Sequence, residues 1–234
     1  MSKSPQKYQV RLENRLDLNE RFSEYHFKLT KPHELFFTPG QFVSLQVNPD
    51  TWRSYSITSR SDNSHGFELL VDHRPAGIGT SWLKNLPIGS EITTLAPLGE
   101  FALQKHQAQG FNFAATGCGI APLRSMLLEL LQIRGETRPI NFYWGMRYEH
   151  ELFWLDDFAN LEKSFPNFNF APILSRPDEK WTGLSGHVTD VLVAAELISD
   201  GDYYLCGSPI TVGSIRQTLQ KLGVPEKNIR FEQY

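Results

Sequence analysis

Two cysteines in 234 residues, Cys118 and Cys206, are too few and too far apart for a disulfide framework, a zinc site or an iron–sulfur cluster. No apolar run approaches the roughly 20 residues that cross a bilayer. The polar start MSKSPQKYQV has no apolar signal core, so no membrane span and no export are expected. The net charge of −3, with basic and acidic side chains interspersed, gives no field that would favour nucleic acid or an anionic lipid surface. Histidines 26, 33, 65, 73, 106, 150 and 187 are scattered without the paired spacing of metal ligands. No Gly-x-Ser-x-Gly elbow occurs, and Ser208, set before Pro209, is poorly suited to act as a nucleophile. Repeats and low-complexity segments are also missing. These absences leave a globular protein, expected in a reducing cytoplasm, with neither hydrolase nor metal chemistry.

What is present follows two patterns. From Tyr8 to about Phe101 the apolar runs are short and partly alternating: YQVRLEN, EYHFKLT, QFVSLQV, RSYSITS, FELLVD and EITTLAPLG. Proline and glycine punctuate them at Pro39-Gly40, Pro49-Asp50, Pro87, Gly89, Pro97 and Gly99, which predicts an antiparallel β-barrel. After the polar stretch Gln104 to Gly110 the pattern changes, and strands FNFAAT, INFYWG, FNFAPIL, YYLCG and IRFEQY alternate with helical segments. Those segments, LRSMLLELLQI, LFWLDDFANLEKSF, HVTDVLVAAEL and ITVGSIRQTLQKL, have apolar residues recurring at three and four. Strict alternation predicts an α/β doubly wound, parallel five-stranded sheet, and domains at 1–107 and 108–234. Ligands of such sheets lie beyond the carboxyl ends of the strands, where TGCG, WGMR, LSRP and CGSP all fall.

In TGCGIAP, Gly117 and Gly119 suit a sharp turn with close backbone approach to a pyrophosphate, and Pro122 suits the first turn of the following helix. The third glycine of the G-x-G-x-x-G pattern is missing, and a Gly-x-Gly after a strand also serves as an ordinary tight turn. In RSYS, alternation puts Arg53 and Tyr55 on one strand face and Ser54 and Ser56 on the other. That pattern fits either a phosphate fork beside an aromatic platform or a surface arginine beside a half-buried tyrosine.

Taken in order, RSYS (53–56), GIGTSWL (77–83), GCGIAP (117–122), Gly145-Met146-Arg147, Cys206-Gly207-Ser208-Pro209 and the terminal FEQY resemble the ferredoxin–NADP reductase superfamily over nearly the whole chain. That superfamily also includes oxygenase reductases and free-flavin reductases. The resemblance implies an FAD-binding barrel and an NAD(P)-binding α/β domain. It implies that Arg53 grips the FAD pyrophosphate, Tyr55 lies against the isoalloxazine and Ser56 hydrogen-bonds near the flavin N5. Gly79 and Thr80 would add a second phosphate contact, Thr80 also capping the short segment SWLKNL. Thr116, Gly117, Gly119 and Gly207 would face the nicotinamide nucleotide. Cys118 stands where many relatives carry threonine, which makes a side-chain contact from it doubtful. Cys206 would position the nicotinamide ring without covalent chemistry. Arg147, Ser175 and Arg176 would meet nucleotide phosphates, the Ser-Arg pair favouring the 2′-phosphate of NADPH, with NADH also possible. Tyr234 would gate the flavin face, and Glu232 would supply a proton route.

The activity implied is hydride transfer between NAD(P)H and FAD, with electrons passed to a separate acceptor. Ferredoxin or flavodoxin comes first for that acceptor and free flavin second. A reductase component of a multicomponent oxygenase and a nucleotide-binding sensor without turnover are the further alternatives.

Overall fold

A computed structural model describes residues 4–104, 108–198 and 200–234. The boundary expected between 107 and 108, and His106, fall at or within residues outside the described ones. Two compact units are present: Met1–Leu103 with Arg124–Arg134, and Gln104–Leu123 with Gly135–Tyr234.

The first unit carries β1 (Gln6–Asp17), β2 (Phe22–Lys31), β3 (Phe42–Asn48), β4 (Thr51–Ser56), β5 (Gly66–Asp72), α1 (Ile78–Lys84) and β6 (Glu91–Leu98). The strands form one antiparallel sheet in the order β4-β3-β6-β1-β2-β5. Beyond β4, Ile57 bridges Leu69 of β5, so the sheet curls until its two edge strands meet, as expected of a barrel. Alternation supplies its core: Tyr8, Val10 and Leu12 of β1 point inward with Tyr25, Phe27 and Leu29 of β2 and Val43 and Leu45 of β3.

The stretch read as a single helix, LRSMLLELLQI, is α2 (Ile120–Leu128) closed by a π-helical turn over Glu129–Ile133. Its second half belongs to the first unit through polar bonds to the loop after β4. Arg124 donates to the Thr58 carbonyl (3.1 Å), Ser125 to that of Ser59 (2.7 Å), and Ser61 donates to Glu129 (2.6 Å).

In the second unit β7 (Phe111–Thr116), β8 (Ile140–Met146), β9 (Phe168–Leu174), β10 (Leu184–Ser185), β11 (Asp202–Gly207) and β12 (Ile229–Gln233) form a wholly parallel sheet in the order β10-β9-β8-β7-β11-β12. The sheet therefore has six strands where five were expected. The sixth, β10, is two residues long, too short for any periodic signal, and exists because Leu184 and Ser185 pair with Ile173 and Leu174. The helices are α3 (Leu155–Ser164), α4 (Val188–Ala194) and α5 (Pro209–Lys221). Helical spacing places the start of α3 at Leu152. The helix begins three residues later, because Trp154 takes a left-handed conformation (φ 57°) while Phe153 packs edge-on against Trp144 at 4.8 Å. At the starts of three adjacent strands Asn169 donates to Asn141 (3.3 Å) and Asn141 to Asn112 (3.2 Å), a ladder between residues directly in register.

In the first unit His26 lies between two carboxylates, 2.6 Å from Glu24 and 3.8 Å from Glu68. These three groups bring ligand-type atoms within 4.8 Å of one another, but Arg124, 3.4 Å from Glu68, already supplies positive charge there. The Glu24 carboxylate, helped by Glu68, holds the His26 pKa above its ordinary 6.5 against the opposing effect of burial. A raised histidine pKa adds stability that is complete below the unfolded value and disappears as pH rises through the folded one. Urea unfolding of the wild type should therefore show stability falling as pH climbs above about 6.5, and His26→Gln should flatten that slope. An identical slope in the variant would remove His26 as its source.

Candidate functional site

In the first unit, β4 presents Arg53 and Tyr55 side by side, and α1 brings Gly79 onto them. A Cβ at Gly79 would stand 2.5 Å from the Tyr55 hydroxyl and 2.8 Å from Cγ of Arg53. Any side chain there would have to displace the Tyr55 ring and the Arg53 stem. Ser56, the next residue along, is half-buried and pairs with Phe42 of β3. The Thr80 hydroxyl accepts from the Gly77 N–H (2.9 Å) and donates to the Gly77 carbonyl (3.2 Å), closing the first turn of α1. The fork of Arg53, the half-buried ring of Tyr55 and the glycine surface beside them match what a flavin dinucleotide requires: charge for its phosphates, an aromatic face for its ring and room for its backbone.

In the second unit the chain proceeds from β7 outward through β8 and β9, then returns to the other side of β7 as β11. The sheet order thus reverses between β7 and β11, the position at which doubly wound sheets open a ligand crevice. Thr116 ends β7, and Cys206 and Gly207 end β11. A Cβ on Gly119 would collide with the backbone carbonyl of Cys206 and stand 2.9 Å from the Gly207 nitrogen, and a Cβ on Gly207 would stand 2.5 Å from the Thr116 hydroxyl. Gly117 differs, with φ +55° and open space where its side chain would be. The loop is fixed from below by buried Trp144, whose indole donates to the Gly117 carbonyl at 3.0 Å. Ser208 caps α5, accepting from the Thr211 N–H (3.3 Å), with Pro209 in the first helical position.

The remaining expected residues of this unit gather at the same sheet end. Cys206 is 1% exposed, and burial pushes its thiol well above the ordinary range, with Glu232 and Cys118 adding to the effect. It stays protonated at neutral pH and is no nucleophile. Glu232 lies opposite Cys206 in the β11–β12 register. The Tyr234 hydroxyl donates to the Thr116 carbonyl (3.2 Å) and its N–H to that of Gly207 (3.4 Å), which lays the residue across the crevice from β12 to β7. Arg147 and Arg176 follow β8 and β9, joined by an Arg176 N–H bond to the Arg147 carbonyl (2.9 Å), and Ser175 donates its N–H to the Met146 carbonyl at 3.0 Å.

Charge pairing separates these arginines from the rest. Among the described residues every arginine has a carboxylate within 4.0 Å except Arg53, Arg147, Arg176 and Arg230. Three of these four are the arginines that the motifs single out for phosphate. An exposed guanidinium without an acidic partner keeps its charge uncancelled and N–H groups to spare for an incoming anion, even where, as at Arg53 and Arg176, one nitrogen donates to a neutral oxygen.

Comparison with known proteins agrees with both halves. The family model described as the oxidoreductase FAD-binding domain matches residues 9–103, and that of the oxidoreductase NAD-binding domain matches residues 113–217. A component of the Na(+)-translocating NADH-quinone reductase of Psychrobacter arcticus is 34% identical over 83% of this chain and 51% of its own length. The toluate 1,2-dioxygenase electron transfer component of Pseudomonas putida is 29% identical over 97% of this chain and 67% of its own length. The chain thus spans about half to two thirds of such relatives. Among solved structures, the Amycolatopsis cytochrome P450 reductase GcoB superposes with a TM-score of 0.89 at 25% identity, covering 98% of this chain and 70% of that one. The chain belongs to the oxidoreductases that join an FAD-binding to an NAD-binding domain, with the fold of the ferredoxin reductases, and its cofactors are FAD and a nicotinamide dinucleotide. No helix among the described residues is long and apolar enough to cross a membrane.

Sequence reasoning missed two residues at these loops. Trp144 carries no motif and reads as core, yet it holds the glycine loop. Tyr148, next to Arg147, has a hydroxyl that accepts from Arg176 at 3.2 Å, and no spacing rule connects the two. The two loop glycines should respond differently to alanine. Gly119→Ala should cost about 3 kcal/mol, the upper range for overpacking, because the obstacle is backbone. Gly117→Ala should cost about 1 kcal/mol of backbone strain. Urea titrations of the two variants measure the difference, and equal costs would contradict the close approach of Gly119 to β11.

Proposed function

We propose that the chain is an FAD-dependent NAD(P)H reductase, with FAD held by residues 1–107 and the nicotinamide dinucleotide by residues 108–234, delivering electrons to a separate acceptor. The observation that carries this reading is the set of phosphate-type arginines without carboxylate partners, each beside a glycine loop or strand end suited to a dinucleotide. FAD, when bound, would supply the redox chemistry that links a two-electron nicotinamide donor to the acceptor. The protein's own residues bind and align.

Arg53 would anchor the FAD pyrophosphate, Tyr55 would offer its ring to the isoalloxazine, and Ser56 would donate to the flavin near N5. Because the Thr80 hydroxyl already serves Gly77, its contribution to phosphate binding comes largely through the turn it closes. Gly117, Gly119 and Gly207 let the nicotinamide dinucleotide lie close to the backbone at the sheet reversal, with Thr116 beside them. Cys206, protonated and packed, gives the nicotinamide ring a fixed wall. Tyr234 covers that crevice and must swing aside for the ring to enter. Glu232 offers a carboxylate for proton movement beside it.

Ser175, Arg176 and Arg147 receive the nucleotide phosphates, which favours NADPH while leaving NADH usable. For the acceptor, relatives named as a dioxygenase electron transfer component and a cytochrome P450 reductase favour a protein partner of the ferredoxin or flavodoxin kind over free flavin. These 234 residues lack the cysteines for an iron–sulfur cluster of their own, so a one-electron carrier lies outside them.

The test is a visible spectrum after gel filtration. Flavin bands should co-elute with the wild type and bleach on anaerobic addition of NADPH or NADH. Arg53→Ala should fold yet lose FAD, binding it about tenfold to a hundredfold more weakly, as expected when one charged hydrogen-bonding group is removed. Full FAD retention by the variant would refute the role of Arg53. A colourless wild type that oxidises NAD(P)H only with added flavin would replace the protein acceptor by free flavin.

A further inference from the structure

Beyond the loops already described, the second unit has a groove of about 530 Å³ lined by Tyr148, Glu149, His150, Arg176, Pro177 and Asp178. Two carboxylates line it with Arg176, yet Arg176 forms no ion pair with either among the described residues. Its guanidinium is tied instead to a neutral group, donating to the Tyr148 hydroxyl at 3.2 Å. The Tyr148 ring is in turn held against His150, with centroids 5.4 Å apart and planes 11° from parallel. The backbone adds a second restraint, because the bond from the Arg176 N–H to the Arg147 carbonyl joins the loop after β9 to the loop that carries Tyr148.

This arrangement solves a particular problem. A long cationic side chain beside Glu149 and Asp178 gains by folding onto a carboxylate, and an arginine so neutralised is a poor reader of a second anion. A phenol within reach holds one nitrogen of the fork without cancelling its charge. The guanidinium then stays oriented with its remaining N–H groups open to an anion.

We propose that Tyr148 is a positioning residue for nucleotide specificity: it aims Arg176 at the 2′-phosphate and keeps that arginine from the groove's own carboxylates. The inference rests on the reading above that Arg176 meets the 2′-phosphate. It adds that discrimination between the phosphorylated and unphosphorylated dinucleotides depends on a hydroxyl outside the Ser175-Arg176 pair. The anion concerned is a phosphate monoester on a ribose.

The experiment is calorimetric titration of the purified holoprotein with 2′,5′-ADP and with 5′-AMP, which differ by the 2′-phosphate alone. The wild type, Tyr148→Phe, Arg176→Ala and the double variant are compared. Phenylalanine keeps the ring on His150 and removes only the hydroxyl. Tyr148→Phe should lower the ratio of the two affinities about three- to tenfold, the range for one lost hydrogen bond. Arg176→Ala should lower the ratio by more, and the hydroxyl should then make no further difference to it.

Each failure points to a different statement. If Arg176→Ala lowers the ratio and Tyr148→Phe leaves it unchanged, the positioning role is overturned while the 2′-phosphate reading stands. If Tyr148→Phe lowers the ratio by the same factor with and without Arg176, the tyrosine meets the ligand directly and the proposal is likewise overturned. If Arg176→Ala leaves the ratio unchanged, the 2′-phosphate reading falls and takes the proposal with it.

Discussion

The nucleotide end of the second unit depends on one missing atom. Gly119 brings the start of α2 against the backbone of Cys206 and Gly207, closer than any side chain permits. That approach joins the end of β7 to the end of β11 at the one place where the strand order reverses. Everything near the crevice is arranged around it. Gly207 leaves room for the Thr116 hydroxyl, Trp144 fixes Gly117 from beneath, and Tyr234 spans the opening by bonds to the same two strand ends. The glycines therefore act in different ways, Gly119 by packing and Gly117 by its positive φ in open space.

In the first unit the corresponding constraint is electrostatic. Most of the protein's arginines are satisfied by nearby carboxylates, as at Arg21 with Asp72 and Arg138 with Glu136. The latter pair holds Glu136 down to about 2, a carboxylate fully committed to its partner. Among the described residues Arg53 has no such partner, and its guanidinium donates to the neutral Trp52 carbonyl. An arginine left in this condition beside a half-buried tyrosine and a close-packed glycine adds little to a fold that needs only stability. It is what the proposed role of Arg53 in holding a dinucleotide requires.

Much of this was legible in the sequence, for physical reasons. Barrel strands alternate, and residues such as Tyr8, Val10 and Leu12 declare their inward face through a period of two. The parallel strands were legible as apolar runs between helical segments. Features that depend on non-local geometry were not. The two residues of β10 are too few to carry a period. Trp154 delays the start of α3 by a backbone conformation its residue type rarely adopts. The segment LRSMLLELLQI (Leu123–Ile133) reads as one helix, and nothing in its spacing shows that Arg124, Ser125 and Glu129 meet Thr58, Ser59 and Ser61. Of the site, the motif residues could be named, while the bond from Arg176 to Tyr148 depends on two loops adjacent only in the folded sheet.

The asparagine ladder lies at the far end of the sheet from these loops, yet it bears on how they can change. Asn112, Asn141 and Asn169 fasten neighbouring strands to one another at their starts, in strict register. A parallel sheet pinned at one end cannot slide to absorb an insertion at the other. A change of length in the loops after β8 and β9 must therefore be taken up within those loops, because the ladder at the opposite end leaves the strands no register into which they could shift.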